Sequence, residues 1–161
     1  MPLYSFHYDV LQTIDELPEE LINLLKDARS ACKNSYAPYS RFHVGCAIRL
    51  SDGLVIPGVN IENASYPVGI CAERSALASV ISKYPDASID AMAISYESEQ
   101  HPSDQPAFPC GMCRQFIAEC IDRNKKPFEL ILSGMSGNIV RISNPKNLLP
   151  FSFGSEDLMR H

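Results

Sequence analysis

Residues 70–96 read ICAERSALASVISKYPDASIDAMAISY, and the fold follows from how this stretch divides. Residues 70–83 are rich in Ala and Leu and stop short of Pro85, the composition and punctuation of a helix. Residues 88–96 form a short apolar run of strand length. The same pairing recurs downstream. Residues 110–124 read as a helix, 128–133 as a strand, 134–138 as a turn and 139–142 as another strand. Upstream, Pro18, Glu19 and Glu20 open a helical pattern in which Leu21, Leu24, Leu25 and Ala28 recur on one face. The segment YAPYSR at 36–41 breaks it with Pro38. Residues 43–50 then read as a strand, Ser51-Asp52-Gly53 as a turn and 54–60 as a returning strand, which makes a hairpin. The order α-β-β-α-β-α-β-β predicts an α/β fold, one mixed sheet of about five strands flanked by helices.

Length and composition set the frame for function. A chain of 161 residues with 45% apolar and 20% charged residues suits one globular domain over residues 1–161. Residues 1–17 stand apart as an N-terminal extension of open role. No apolar run approaches the roughly 20 residues that cross a bilayer, and the N-terminus lacks the pattern of a secretory signal. The expectation is a cytoplasmic protein with no membrane partner. The net charge is −5, whereas nucleic-acid binding usually leaves a basic stripe. The densest basic cluster is Arg123, Lys125 and Lys126. It sits at a helix end, where cations favour the dipole. No nucleic-acid partner is expected.

Six cysteines in such a chain serve better as ligands or core residues than as disulfides. Cys32, Cys46 and Cys120 lie in apolar or helical stretches and read as buried thiols. Cys71, Cys110 and Cys113 carry the chemistry. Cys71 and Cys110 begin helices, and Cys113 follows Cys110 at a spacing that lets both face one cation. Helix N-termini favour thiolates there, and thiolates in tetrahedral array select zinc. A lone Cys-x-x-Cys would suit a structural zinc site or a redox pair no better than a surface accident. Structural zinc takes four ligands, and this pattern offers three, leaving one corner open. Glu73, two residues after Cys71, is an acid that a closed site would not use. Arg74 beside it is placed to hydrogen-bond a ligand sulfur and withdraw charge.

Four blocks extend these motifs: FHVGCAI at 42–48, NIENASYPVGICAERSA at 60–76, PCGMCRQF at 109–116 and LLPFSFGSEDL at 148–158. In this order they resemble the homotetrameric cytidine deaminase family. The resemblance implies a three-layer α/β/α fold and one Zn²⁺ per chain held by Cys71, Cys110 and Cys113. It implies hydrolytic deamination of cytidine and deoxycytidine, with Glu73 shuttling the proton. Asn60 and Glu62 match positions that bind the ribose 3′-hydroxyl, and Phe42 one that packs on the base. The Ala72 backbone and the Glu73 carboxylate match groups that read the pyrimidine edge. Tyr66 and Phe153 match aromatics that reach a substrate held by a neighbouring subunit, so a homotetramer with shared pockets is implied. The chain departs from the family pattern at His43, Cys46, Phe108 and the long loop 97–108.

Other readings compete with this one. Asn60 and Glu62 suit loop capping, and Phe42 and Phe153 suit core packing. Arg74 could be a solvated helix residue. A nucleotide, a nucleoside antibiotic or an RNA base are rival substrates, although no phosphate clamp accompanies the motifs. A non-catalytic zinc scaffold is the alternative outside enzymology.

Overall fold

The computed structural model describes residues 1–159. Along the chain run β1 (Asp9–Leu11), α1 (Glu19–Ala31), β2 (Phe42–Leu50), β3 (Val55–Val59), α2 (Ala72–Lys83), β4 (Ile89–Ser98), α3 (Gly111–Asn124), β5 (Glu129–Leu132), β6 (Ile139–Ile142) and the short α4 (Ser155–Leu158). One sheet has the order β1-β6-β5-β4-β2-β3. Among the strands of the described residues only β4 and β5 pair in parallel, and α3 supplies the crossover that a parallel pair requires. Five strands and three helices fall where the sequence placed them. A sixth strand adds to the expected count of about five: β1 comes from the N-terminal extension and pairs antiparallel with β6, Val10 opposite Val140. It has three residues and largely faces solvent, so no alternation could announce it.

Alternation along the central strand separates two cores. Met92 and Ile94 of β4 point into a cluster with Leu77, Ile117 and Leu130, beneath α2 and α3, which Ile89 joins across a register shift in the β2–β4 pairing. Ala91 and Ala93 point the other way, toward Leu21, Leu24, Leu25 and Ala28 of α1. The α1 face is built from small strand residues, and the helix lies close. A Cβ on Gly45 would stand 2.0 Å from the Ala28 carbonyl oxygen.

The other close approach positions the site. A Cβ on Gly58 of β3 would stand 2.5 Å from both the Ala72 carbonyl oxygen and the Ala76 amide nitrogen. The first turn of α2 therefore rests directly on the β3 backbone. The basic cluster closes the far end of α3. Arg123 donates to the Pro85 carbonyl, Lys125 ends the helix in the left-handed region with φ 58°, and Lys126 pairs with Asp90 at 3.0 Å.

Candidate metal centre and active site

Two helix N-termini meet at one point. Cys71 is the N-cap of α2 and Cys110 the N-cap of α3, both in extended backbone. Cys110 thus stands one position ahead of the first turn that the spacing suggested. Cys113 lies within that turn and is fully buried. The Cys71 and Cys110 sulfurs are 3.8 Å apart, those of Cys110 and Cys113 3.5 Å, and all three lie within 4.8 Å of one another. With sulfur about 2.3 Å from zinc, two sulfurs of a tetrahedral shell stand about 3.8 Å apart. The donor set fits the ion in chemistry and in size.

Thiols held this close share their protons. The Cys71 thiol is drawn down to about 5, chiefly because Cys113 hydrogen-bonds to it, with Cys110 and Arg74 adding to the pull against the cost of burial. Cys113 is pushed up by the same interaction. The two shifts describe one proton between two sulfurs, which a divalent cation displaces on binding.

Glu73 follows on the first turn of α2 and is only 5% exposed. Burial holds its carboxyl above the usual carboxylate range, and negative charge on Cys71 adds to the push. Arg74 donates through Nη2 to the Gly69 carbonyl at 3.2 Å. Its Nε is buried without a hydrogen-bond partner among the described residues. Beside this backbone bond, the guanidinium draws the Cys71 thiol down by hydrogen bonding and by its charge.

A cleft of about 650 Å³ opens above the sulfurs and holds Phe42, Asn60, Glu62, Tyr66, Ala72 and Glu73 in its wall. Asn60 and Glu62 also serve as loop braces. The Asn60 amide donates to the Phe42 carbonyl at 2.8 Å and its oxygen accepts from the Val44 amide at 2.7 Å. Glu62 Oε2 accepts from the amides of Tyr39 and Ser40 at 2.8 and 3.2 Å. Ala72 is buried as the first residue of α2. Tyr66 is largely exposed on the rim and meets Tyr39 edge-on, with ring centroids 6.1 Å apart. Phe153 is not brought to this cleft. It lies beyond α3, where its carbonyl accepts from Gln115 Nε2 at 2.8 Å.

Comparison with known proteins was made against this geometry. The family described as "Cytidine and deoxycytidylate deaminase zinc-binding region" matches residues 18–126, more than half of the chain. The chain belongs to this deaminase family. A cytidine deaminase of Halalkalibacterium halodurans is 41% identical over 135 residues, covering 84% of this chain and 95% of that one. A blasticidin-S deaminase of Bacillus cereus is 32% identical over 155 residues, covering 95% of this chain and 98% of that one. The crystal structure of cytidine deaminase from Burkholderia pseudomallei superposes with a TM-score of 0.68 at 37% identity, over 81% of this chain and 97% of that one. As a member of the family the chain is a zinc-dependent hydrolytic deaminase, and its three-sulfur cluster fits one zinc ion per chain.

This deaminase has supporting residues that the sequence did not single out. Arg114 donates through Nε to the Pro109 carbonyl at 2.9 Å and through Nη1 to the Leu148 carbonyl at 3.2 Å. It thereby fixes the turn that presents Cys110. A cation in the first turn of a helix opposes the dipole, and that conflict was the available signal. Tyr39 and Ser40 line the cleft, although their segment reads only as a helix break. Phe108, marked in the sequence only as a departure from the family pattern, is carried by the long loop and lines the cleft too.

Proposed function

We propose that this deaminase converts cytidine and deoxycytidine to uridine and deoxyuridine with release of ammonia. The observation that carries the reading is the position of Glu73. A buried acid two residues from a zinc-fitting sulfur lines the same cleft as Cys71 and Cys110, a cleft large enough for a nucleoside. A purely structural zinc site would have no use for it.

Bound zinc supplies Lewis acidity, which brings the ionisation of water toward neutral pH. Glu73 would take a proton from the attacking water on its carboxylate as the water oxygen adds to C4 of the base. It would give the proton to ring N3, and a second transfer through the same carboxylate would carry the remaining hydroxyl proton at C4 to the exocyclic nitrogen, which leaves as ammonia while the C4 carbonyl forms. Positioned transfers of this kind are worth on the order of 10²–10⁴-fold. Ala72, at the start of α2, has a backbone N–H with no partner inside the helix and can read the pyrimidine edge. Glu62 braces the loop through Oε2 and offers its carboxylate to a ribose hydroxyl, and Asn60 keeps one donor hydrogen for the same sugar. Phe42 supports the base.

Tyr66 and Phe153 are aromatic, exposed and suited to completing the pocket of another copy, which supports a homotetramer working as single-domain chains. All six cysteines are free, and a site that depends on thiolates is at home in the reducing cytoplasm. The similarity to a blasticidin-S deaminase makes that antibiotic the control substrate. Loss of ultraviolet absorbance on mixing the protein with cytidine, abolished by a chelator and restored by zinc, is the expected result. Turnover of blasticidin S or deoxycytidylate without turnover of cytidine would overturn the reading.

A further inference from the structure

Phe42 does not stand alone at the cleft wall. Its ring lies on that of Tyr96, with centroids 4.6 Å apart and planes inclined by 16°. The register explains the contact. On the antiparallel pair β2–β4, Phe42 faces Ser98 and Val44 faces Tyr96, so the two aromatics are diagonal neighbours on one face of the sheet. Their exposure is unequal: Tyr96 is 8% exposed and Phe42 37%. Phe42 lines the cleft and Tyr96 does not. The pair is therefore layered, with an inner ring fixed in the structure and an outer ring presented to the cavity.

The inner ring is also tethered at its far end. The Tyr96 hydroxyl donates to the Pro102 carbonyl at 3.5 Å, in the loop 99–108 that carries Ala107 and Phe108 to the cleft. That loop is fastened close by: the Ser98 amide donates to Ser103 Oγ at 2.9 Å, and the Ser136 amide to the Ser103 carbonyl at 3.2 Å. One buried side chain touches Phe42 through its ring and the loop through its oxygen.

We infer that Tyr96 is a positioning residue for substrate binding, the fixed backing of a two-layer aromatic platform whose outer layer, Phe42, receives the pyrimidine. The inference rests on the proposed contact between Phe42 and the base. Stacking on Tyr96 confines the Phe42 ring to one plane before substrate arrives, so less ordering is left to be paid on binding. Aromatic pairs of this geometry act beyond their buried area. The effect belongs to affinity, because the pair meets the base through the Phe42 face and carries no proton.

The test uses the zinc-loaded full chain, with kcat and KM for cytidine measured per zinc-containing chain. Tyr96→Met keeps bulk and removes the flat face. It is expected to raise KM roughly three- to tenfold with kcat within about twofold. Tyr96→Phe keeps the ring, loses only the tether, and is expected to restore the parental KM. In a Phe42→Leu background, Tyr96→Met is expected to add little, since the outer layer through which it acts is gone. An unchanged KM in Tyr96→Met, a fall in kcat rather than a rise in KM, or full additivity with Phe42→Leu would each overturn the role of Tyr96. If Tyr96→Met does not fold, a parental KM in Tyr96→Leu or a raised KM in Tyr96→Phe does the same. A Phe42→Leu variant with parental KM would instead remove the proposed Phe42–base contact, so the two failures are distinguishable.

Discussion

The side chain of Asn60 is bonded to the main chain of Phe42, donating to its carbonyl at 2.8 Å. The same amide accepts from Val44, so one residue from the end of the hairpin pins the start of β2 where the cleft begins. Capping and ligand binding, which compete when only the sequence is read, are compatible here. Asn60→Asp turns the donor that faces the Phe42 carbonyl into an oxygen. Loss of that partner is expected to cost about 1–3 kcal/mol of stability and to raise KM for cytidine in the same variant. Thermal denaturation and steady-state kinetics measure the two. A raised KM at parental stability would mean that the brace is idle.

Glu73→Gln should retain zinc and still bind nucleoside, since the amide preserves shape and some hydrogen bonding. It should lose turnover by at least about 10²-fold, because an amide cannot carry the proton. Metal analysis, equilibrium binding and single-turnover kinetics separate these effects. Activity within about tenfold of the parent would remove Glu73 from the proton path.

Gly58→Ala tests the seat of the metal helix. The added methyl would meet backbone of Ala72 and Ala76 at 2.5 Å, and backbone cannot swing aside as a flexible side chain could. The helix has to shift, and Cys71 sits at its cap. The expected outcome is a loss of about 1–3 kcal/mol in stability together with weaker zinc retention in a chelator competition. Full stability with parental zinc affinity would show that α2 does not need this close contact.

Much of this architecture was legible because each element carries its own punctuation. Prolines and the Ser51-Asp52-Gly53 turn bounded the helices and strands, and the alternation in β4 set the two faces. The sulfur cluster was legible because its spacing is local to two helix starts. What stayed hidden depends on partners distant in sequence. β1 is a strand only because β6 offers it an edge. Arg114 matters through the carbonyls of Pro109 and Leu148, and Tyr96 through a ring on another strand. Phe153 was legible as an aromatic in a motif, but its distance from this chain's own cleft was not.

Glu62 gives the site a dependence on pH. Its carboxyl is held below the ordinary value of 4.5, first by the Ser40 side chain and then, against a small cost of burial, by the amides of Tyr39 and Ser40. A depressed carboxylate contributes stability that is complete above its unfolded value and drains away as pH falls through the folded one. The difference in melting temperature between the parent and Glu62→Gln should therefore be constant above about pH 5 and shrink on further acidification. A difference that grows as pH falls would reverse the sign and rule out the bracing carboxylate.

Mixing two inactive variants tests whether pockets are shared. In Phe153→Ala the chemistry of each chain is intact, and the loss falls on whichever pocket Phe153 reaches. In Glu73→Gln the chemistry is lost while Phe153 is intact. If Phe153 serves a neighbour, a chain carrying Phe153→Ala regains a complete pocket when assembled beside a chain carrying Glu73→Gln. Co-refolding the two at equal concentration and assaying at cytidine well below KM should then give activity above the mean of the separate preparations. If Phe153 served its own chain, or nothing, the mixture would give that mean. The structure already weighs against the own-chain outcome, since Phe153 lies beyond α3, tied to Gln115, and forms no part of the cleft that Glu73 lines.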